Sequence, residues 1–281
     1  MDDRRLNESQ ITAYMQSLRT EERAAATIEK YLYAVRSFAT WLDGRSVTKD
    51  LSAQWKTELL ESGLSPATIN GRLSAVNGLF HFLDWDGCRV KFLKLQRKAF
   101  RDTSRELTRS EYDRLLSAAG KKGREDLELL METICAAGIR VSEVEYITVE
   151  AVERGEAEIR LKGKIRTILL PGKLCRKLSK YAGKQKIASG AIFRAKSGQP
   201  FSRFQIWRMM KALCAQAGVE RSKVFPHNLR HLFAVTFYRV TKDIAKLADL
   251  LGHSSIDTTR IYLRTTGREH VRQLELLGLV S

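Results

Sequence analysis

The sequence contains no long apolar run and no closely spaced cysteines. No stretch approaches the roughly 18 apolar residues of a membrane-spanning helix, and the start, MDDRRLNESQ, lacks the basic-then-apolar order of a secretion signal. The four cysteines lie at least 39 residues apart, so no CxxC pair indicates a zinc or redox site. We therefore expect a cytoplasmic protein that has reduced thiols and no membrane association.

Two common kinds of phosphate-handling site are also missing. There is no GxxxxGK[ST] phosphate loop, and the carboxylates of the second part are scattered among cations rather than gathered to hold two metal ions. His227 and His231 have the spacing of an HExxH zinc site, but Asn228 stands where that motif needs glutamate. We expect no cofactor and no metal.

Positive charge is what the sequence has in excess. Its 49 Lys and Arg against 32 Asp and Glu give a net charge of +17 and a pI near 9.9. Such self-repulsion is costly unless a polyanion neutralises it, so nucleic acid is the first partner to consider and an anionic membrane surface the second. Residues 101–281 hold 34 of the cations against 20 acids, so the main contact with the polyanion is predicted there.

A chain of 281 residues is comfortable for two domains. The first part reads as a small helical bundle, because two apolar stripes follow the helical period. Ser65 suits an N-cap and Pro66 the first position of the second helix. The two stripes are Ile28, Leu32, Val35, Phe38 and Leu42, and then Ile69, Leu73, Val76, Phe80 and Leu83.

The apolar period breaks down in the basic stretch RKAFRDTSRELT, and a helix then restarts with Thr108 and Glu111 in capping-box spacing. We predict a helical domain over 1–95, a linker over 96–106 and a second domain over 107–281. The alternative is a surface loop within a single domain.

The second part is predicted to be mostly helical with one small sheet. A helix from residue 126 breaks at Gly138, and Ser142 could cap the helix that follows. In AEIRLKGKIRTILLP the period changes, because Ile159 and Leu161, and then Ile168 and Leu170, alternate with other residues on either side of a basic KGK, which indicates a β-hairpin. The fold class is therefore mainly α with a small antiparallel sheet.

Three short segments of this part combine the groups that phosphoryl transfer needs. Arg140 and Arg230 lie in apolar surroundings where an unpaired charge is expensive, and a planar guanidinium suits two phosphate oxygens. His227 shares a helical face with Arg230. Tyr262 follows His253 by nine residues, and the apolar stripe of its short helix passes beside it, which disfavours a core position.

Together these segments, AAGIRVSEV, PHNLRHLFA and LGHSSIDTTRIYLR, resemble the three signature boxes of the tyrosine recombinase (phage integrase) family. The resemblance covers about residues 106–265 closely. It implies a two-domain clamp around duplex DNA, metal- and ATP-independent cleavage, and a tetramer on paired sites, with a C-terminal tail that packs in trans or folds back on its own domain. Accessory recombination proteins are further possible partners.

The resemblance also assigns roles residue by residue. Arg140 and Arg230 would hold the scissile phosphate, His227 and His253 would assist proton transfer, and Tyr262 would be the nucleophile of a 3′-phosphotyrosyl link. The family's hairpin typically reads GKGxKxR, whereas LKGKIR is shorter. Lys162 is therefore the first choice for the general acid and Lys164 the alternative.

Two other functions would suit the same scaffold. A type IB topoisomerase shares the tyrosine chemistry but only relaxes supercoils as a monomer. A non-catalytic DNA-binding protein would have no need of a nucleophile. Chromosome-dimer resolution and mobile-element integration are both compatible with the motifs.

Overall fold

The described part of the chain is mainly helical and carries one two-stranded antiparallel sheet, which confirms the expected fold class. The structure, a computed structural model, describes residues 4–95, 104–161, 164–253, 255–260, 262 and 275–277, with the backbone alone at 161 and 164. Contacts divide the chain into two compact units, Met1–Arg97 and Lys98–Ser281. No helix in the described ranges is long and apolar enough to cross a membrane.

The first unit is a four-helix bundle whose core is centred on Phe38. The rings of Trp55 and Phe80 meet Phe38 edge-on, at centroid distances of 4.9 and 5.6 Å. Both predicted apolar stripes face the core, and the predicted N-cap at Ser65 is confirmed. The helices are α1 (Glu8–Thr20), α2 (Ala25–Leu42), α3 (Lys49–Glu61) and α4 (Pro66–Phe82), followed by a 3₁₀ turn at Asp86–Cys88.

Two asparagines of α4 hold the chain that leaves the bundle. The amide side chain of Asn77 donates to Val90 O and accepts from Val90 N at 2.8 and 2.9 Å. Asn70, seven residues earlier, does the same with Leu93. These hydrogen bonds satisfy the backbone N–H and C=O groups of Val90 and Leu93, as a neighbouring strand would in a sheet. The segment can therefore run back along α4 without a strand beside it.

The second unit is built around α6, whose Leu130, Met131 and Ile134 are fully buried. The capping box predicted at Thr108 and Glu111 is confirmed at the start of α5. The helices are α5 (Arg109–Lys121), α6 (Glu125–Ala137), α7 (Val149–Arg154), α8 (Gly172–Lys184), α9 (Arg203–Lys211), α10 (Cys214–Ala217), α11 (Pro226–Thr241), α12 (Ile244–Leu251) and α13 (Ile256–Arg260), with 3₁₀ helices at Val141–Tyr146 and Arg221–Lys223.

The predicted hairpin is present as β1 (Glu156–Leu161) and β2 (Lys164–Leu169). The register pairs Ile159 with Arg166 and Ala157 with Ile168. Ala157, Ile159 and Ile168 are buried, so one face of the hairpin packs on the core of this unit.

The break after α6 differs from the sequence prediction. Gly138 ends the helix in the left-handed conformation, at φ +62°, but the next element is a 3₁₀ helix whose N-cap is Arg140, with Ser142 inside it. The prediction of a Ser142 cap was wrong because the side chain of Glu143 caps the backbone N–H of Arg140 instead. Gly138 is also required sterically, since a Cβ there would lie 2.5 Å from Cε1 of Phe233.

The beginning of the second unit is attached to α11. The Asn228 side chain donates to Arg105 O at 2.6 Å, and Nε2 of His231 lies 3.7 Å from a carboxylate oxygen of Glu106. Arg105 and Glu106, at the end of the predicted linker, therefore contact the helix that carries the second signature segment.

Candidate active site

Arg140 is held on one side and open on the other. Its Nη1 donates to Glu143 Oε1 at 2.8 Å, and its backbone N–H donates to Glu143 Oε2 at 2.6 Å. The Glu143 side chain is 2% exposed, whereas that of Arg140 is 42% exposed. The carboxylate thus fixes the guanidinium in orientation and leaves donors free to meet an anion from solvent.

Arg230 is buried and joins three segments of the unit. It lies one turn into α11, where its Nη1 donates to the carbonyl of Gly138. Its Nη2 donates to Leu251 O at 2.8 Å and to Nε2 of His253 at 3.1 Å. Burial, and then the charge of Arg140, lowers the pKa of Arg230 to about 10, so it remains a cation at neutral pH.

His253 is neutral in this environment. Burial first, and then the cations Arg230 and Arg140, lower its pKa to about 4. Because a guanidinium can only donate, Nε2 accepts from Arg230 and the ring proton lies on Nδ1, which donates to Thr259 Oγ1 at 2.9 Å. The tautomer is therefore set by the two partners of the ring.

His227 lies in the first turn of α11, three residues before Arg230. Burial, Arg230 and Arg140 lower its pKa in the same order as for His253. Two neutral imidazoles thus accompany the arginines at physiological pH.

Tyr262 is buried, and the prediction that disfavoured a core position was wrong. It is 3% exposed and packs in a small cluster with Ala234, Leu247 and Leu251. That prediction used only the apolar stripe of Ile256, Thr259 and Leu263 within the segment of the tyrosine itself. The surfaces that bury the ring belong to α11 and α12, which the local period does not describe.

The Tyr262 ring lies between two histidines. It stacks on His253 at a centroid distance of 6.1 Å and an angle of 12°, and the ring of His231 meets it edge-on at 5.2 Å. Since His253 also contacts Arg230, the structure brings the signature tyrosine, histidine and second arginine into one continuous contact.

The structure does not describe the side chains of the two candidate lysines. Lys162 lies outside the described residues, and Lys164 is described by its backbone alone, at the start of β2 opposite Leu161. The assignment of the general acid to one of them therefore stays a prediction.

Two charged residues of the site, Glu143 and Arg166, were not among those predicted from the sequence. Arg166 Nη2 lies 2.5 Å from Glu143 Oε2, so a single buried carboxylate forms ion pairs with two arginines. A signal existed for each. Glu143 follows Arg140 by three residues at a helix start, as in a capping box. Arg166 stands two residues before Ile168, on the inward face of an alternating strand.

The described residues contain no group of three or more His, Cys, Asp or Glu side chains placed to hold a metal ion. Within the site, three arginines surround one carboxylate and two neutral histidines. Such an excess of fixed positive charge favours a bound anion, and Arg140 gives that anion access.

Comparisons with known proteins identify relatives of this chain. The model described as phage integrase family matches residues 105–269, and the one described as phage integrase, N-terminal SAM-like domain, matches residues 11–87. Tyrosine recombinase XerA of Thermococcus kodakarensis is 30% identical over 264 residues, covering 91% of this chain and 90% of that protein. Tyrosine recombinase XerC of Roseiflexus castenholzii is 30% identical over 280 residues, covering 90% and 88%.

Solved structures have the same fold at low identity. A lambda integrase(75–356) dimer bound to a COC′ core site matches with a TM-score of 0.75 and 18% identity, covering 94% of this chain and 97% of that one. XerH site-specific recombinase bound to a palindromic difH substrate matches with a TM-score of 0.74 and 20% identity, covering 97% and 85%.

Proposed function

The chain belongs to the phage integrase family and is a tyrosine recombinase, and from that premise we propose that Tyr262 cleaves and rejoins duplex DNA at specific sites through a covalent 3′-phosphotyrosyl intermediate. The observation that carries the proposal is the contact of Tyr262 with His253 and of His253 with Arg230, beside an accessible Arg140.

In the first step the phenolic oxygen of Tyr262 attacks the scissile phosphorus. A P–O bond to the tyrosine forms while the bond to the 5′ oxygen breaks, and the 5′ oxygen leaves with the electron pair. Tyrosine is a weak nucleophile at its ordinary pKa of about 10, so its proton must be accepted as it attacks. The neutral imidazole of His227 is the acceptor at hand, because both ring nitrogens of His253 are already engaged, by Arg230 and by Thr259.

The departing 5′ oxygen needs a proton, which Lys162 or Lys164 supplies from the hairpin tip. Arg140 and Arg230 neutralise the charge that grows on the non-bridging oxygens. Loss of one such preorganised donor typically costs about 100- to 1,000-fold in rate. The phosphotyrosyl bond retains the energy of the broken bond, so rejoining by attack of a 5′-hydroxyl needs no ATP.

The assembly follows from strand exchange, which requires four cleavages on two duplexes. We propose that four copies act on paired sites, that residues 1–95 form the core-binding domain, 96–106 the linker and 107–281 the catalytic domain. Leu276 and Leu277 near the C-terminus are 80% and 60% exposed, which suits packing against a neighbouring subunit. Sedimentation of protein with paired sites tests this, because a relaxing enzyme would sediment as one copy per site.

A suicide substrate tests the chemistry directly. A nick just 3′ of the scissile phosphate lets the short 5′-hydroxyl fragment diffuse away, so the covalent adduct accumulates and survives denaturation. We expect the adduct with wild-type protein, with or without a chelator, and none with Tyr262→Phe. The Phe variant is a fair control because it removes only a hydroxyl from a packed ring. An adduct formed by Tyr262→Phe would overturn the assignment.

A further inference from the structure

Arg166 occupies a position that the strand pattern reserves for an apolar residue. Its register partner Ile159 and its same-face neighbour Ile168 are 2% and 3% exposed, whereas Ile165 and Leu169 on the opposite face are 67% and 62% exposed. The Arg166 side chain is 16% exposed. Burying a guanidinium is costly unless it is paired, so its partners explain why it is there.

The Arg166 guanidinium joins the hairpin to two other parts of the site. Nη2 forms the ion pair with Glu143, the carboxylate that also holds Arg140. Nη1 donates to Leu250 O at 3.1 Å, in the last turn of α12. That last turn contains no basic residue of its own, and a cation is favourable beside its carbonyls.

Gly252 allows this approach. It ends α12 at φ +62°, and a Cβ there would lie 2.6 Å from both Cδ and Nη1 of Arg166. Glycine is thus needed at position 252 for two reasons: the backbone there is left-handed, and the guanidinium occupies the space of a Cβ.

Arg166 is not itself placed to bind the phosphate. Both terminal nitrogens have protein partners, and its buried Nε has no hydrogen-bond partner among the described residues. Arg140, by contrast, keeps an exposed side. The contribution of Arg166 therefore acts through the strand that carries it.

We propose that Arg166 is a positioning residue, which anchors β2 to Glu143 and to the end of α12 and so sets the position of the general-acid lysine at the hairpin tip. A two-stranded hairpin is marginal by itself in water. The ion pair of Arg166 lies only two residues after Lys164 and four after Lys162. This inference rests on the proposed function, since it assumes that a hairpin lysine protonates the 5′ oxygen.

The test compares two DNA substrates that differ in one atom. In the second, sulfur replaces the bridging 5′ oxygen at the scissile phosphate. When the P–S bond breaks, the thiolate leaves with the electron pair and needs no proton, because a thiol is far more acidic than an alcohol, as the cysteine pKa of about 8.5 illustrates. A general acid contributes about 100- to 10,000-fold to the oxygen substrate and little to the sulfur substrate.

We expect Arg166→Ala to slow single-turnover cleavage of the oxygen substrate by about 100-fold and to cleave the sulfur substrate at nearly the wild-type rate. Arg166→Lys, which keeps the charge, recovers part of the loss. Replacing the lysine that acts as general acid should likewise slow cleavage of the oxygen substrate and leave cleavage of the sulfur substrate nearly unchanged. Lys162→Ala and Lys164→Ala therefore serve as reference variants.

A substitution at Gly252 disturbs the Arg166 side chain without replacing it. Gly252→Ala displaces the guanidinium, and we expect the same preference for the sulfur substrate. Gly218→Ala is the matched control, because Gly218 also ends a helix, at φ +58°, but has nothing within 4 Å of an added Cβ. It should cleave both substrates at the wild-type rate. If Arg166→Ala folds poorly, Arg166→Lys and Gly252→Ala still decide the matter.

The outcomes separate the two proposals. Wild-type protein that forms no adduct on either substrate contradicts the proposed function. Wild-type protein that cleaves both, with Arg166 and Gly252 variants equally slow on both or unaffected on both, overturns the positioning role alone.

Discussion

Gly138→Ala is expected to damage both the stability and the catalytic site of the second unit. Gly138 ends α6 at φ +62°, lies against Phe233 of α11, and presents its carbonyl to Nη1 of Arg230. An added methyl group must therefore be accommodated in a strained backbone conformation and against a ring edge at the same time.

The expected loss of stability in Gly138→Ala has two parts. The left-handed conformation costs a non-glycine residue about 1–2 kcal/mol. A Cβ within 2.5 Å of Cε1 of Phe233, and closer still to Cδ1, forces the ring to move, and such overpacking costs about 1–3 kcal/mol. Together we expect a loss of about 2–5 kcal/mol, or a fall in Tm of very roughly 4–20 °C for a unit of this size.

Gly155→Ala separates the two parts. Gly155 ends α7 at φ +76° with nothing within 4 Å of an added Cβ, so only the conformational cost applies. Thermal melts of the full chain should rank wild type, Gly155→Ala and Gly138→Ala in decreasing Tm. Only Gly138→Ala should also lose cleavage, by about 100-fold for a shift near 1 Å at the site. Equal melting temperatures and equal cleavage in the two variants would refute the reasoning.

Three further predictions follow from the site. Glu143→Gln leaves Arg140 and Arg166 without their buried counter-charge, so we expect a loss of about 3 kcal/mol in urea unfolding, and an unchanged midpoint would contradict it. The pKa of His253 falls from 6.5 to about 4 on folding, so between those values the unfolded chain binds a proton that the folded chain does not. The free energy of unfolding should therefore fall as pH drops from 6.5 to 4, and His253→Gln should make this fall smaller in urea titrations. A fall as steep in His253→Gln as in wild type would contradict the assignment of this pH dependence to His253. Asn228→Ala removes two part-buried amide hydrogen bonds, to Arg105 O and Lys223 O, and should lower the free energy of unfolding by about 2 kcal/mol in the same assay; a change under about 0.5 kcal/mol would contradict this.

Much of the local structure was predictable because its causes lie within a few residues. Ser65 with Pro66, and Thr108 with Glu111, start helices through bonds to the next turn, and the alternation around KGK gives the hairpin. At two places, predictions made from neighbouring residues alone were wrong. Ser142 was expected to be the cap, but the side chain of Glu143 fills that role, and the local apolar stripe did not show that residues of α11 and α12 bury Tyr262.

The sequence by itself determined the family, the excess of cations and the identity of the signature side chains, because each is written in residue type and spacing. Only the tertiary structure decided how those side chains are held. Arg230 meets the carbonyl of Gly138 across 92 positions of the chain, and Arg166 meets Glu143 across 23. A buried charge is stabilised by whichever groups the packing of helices brings to it. No local pattern records that packing.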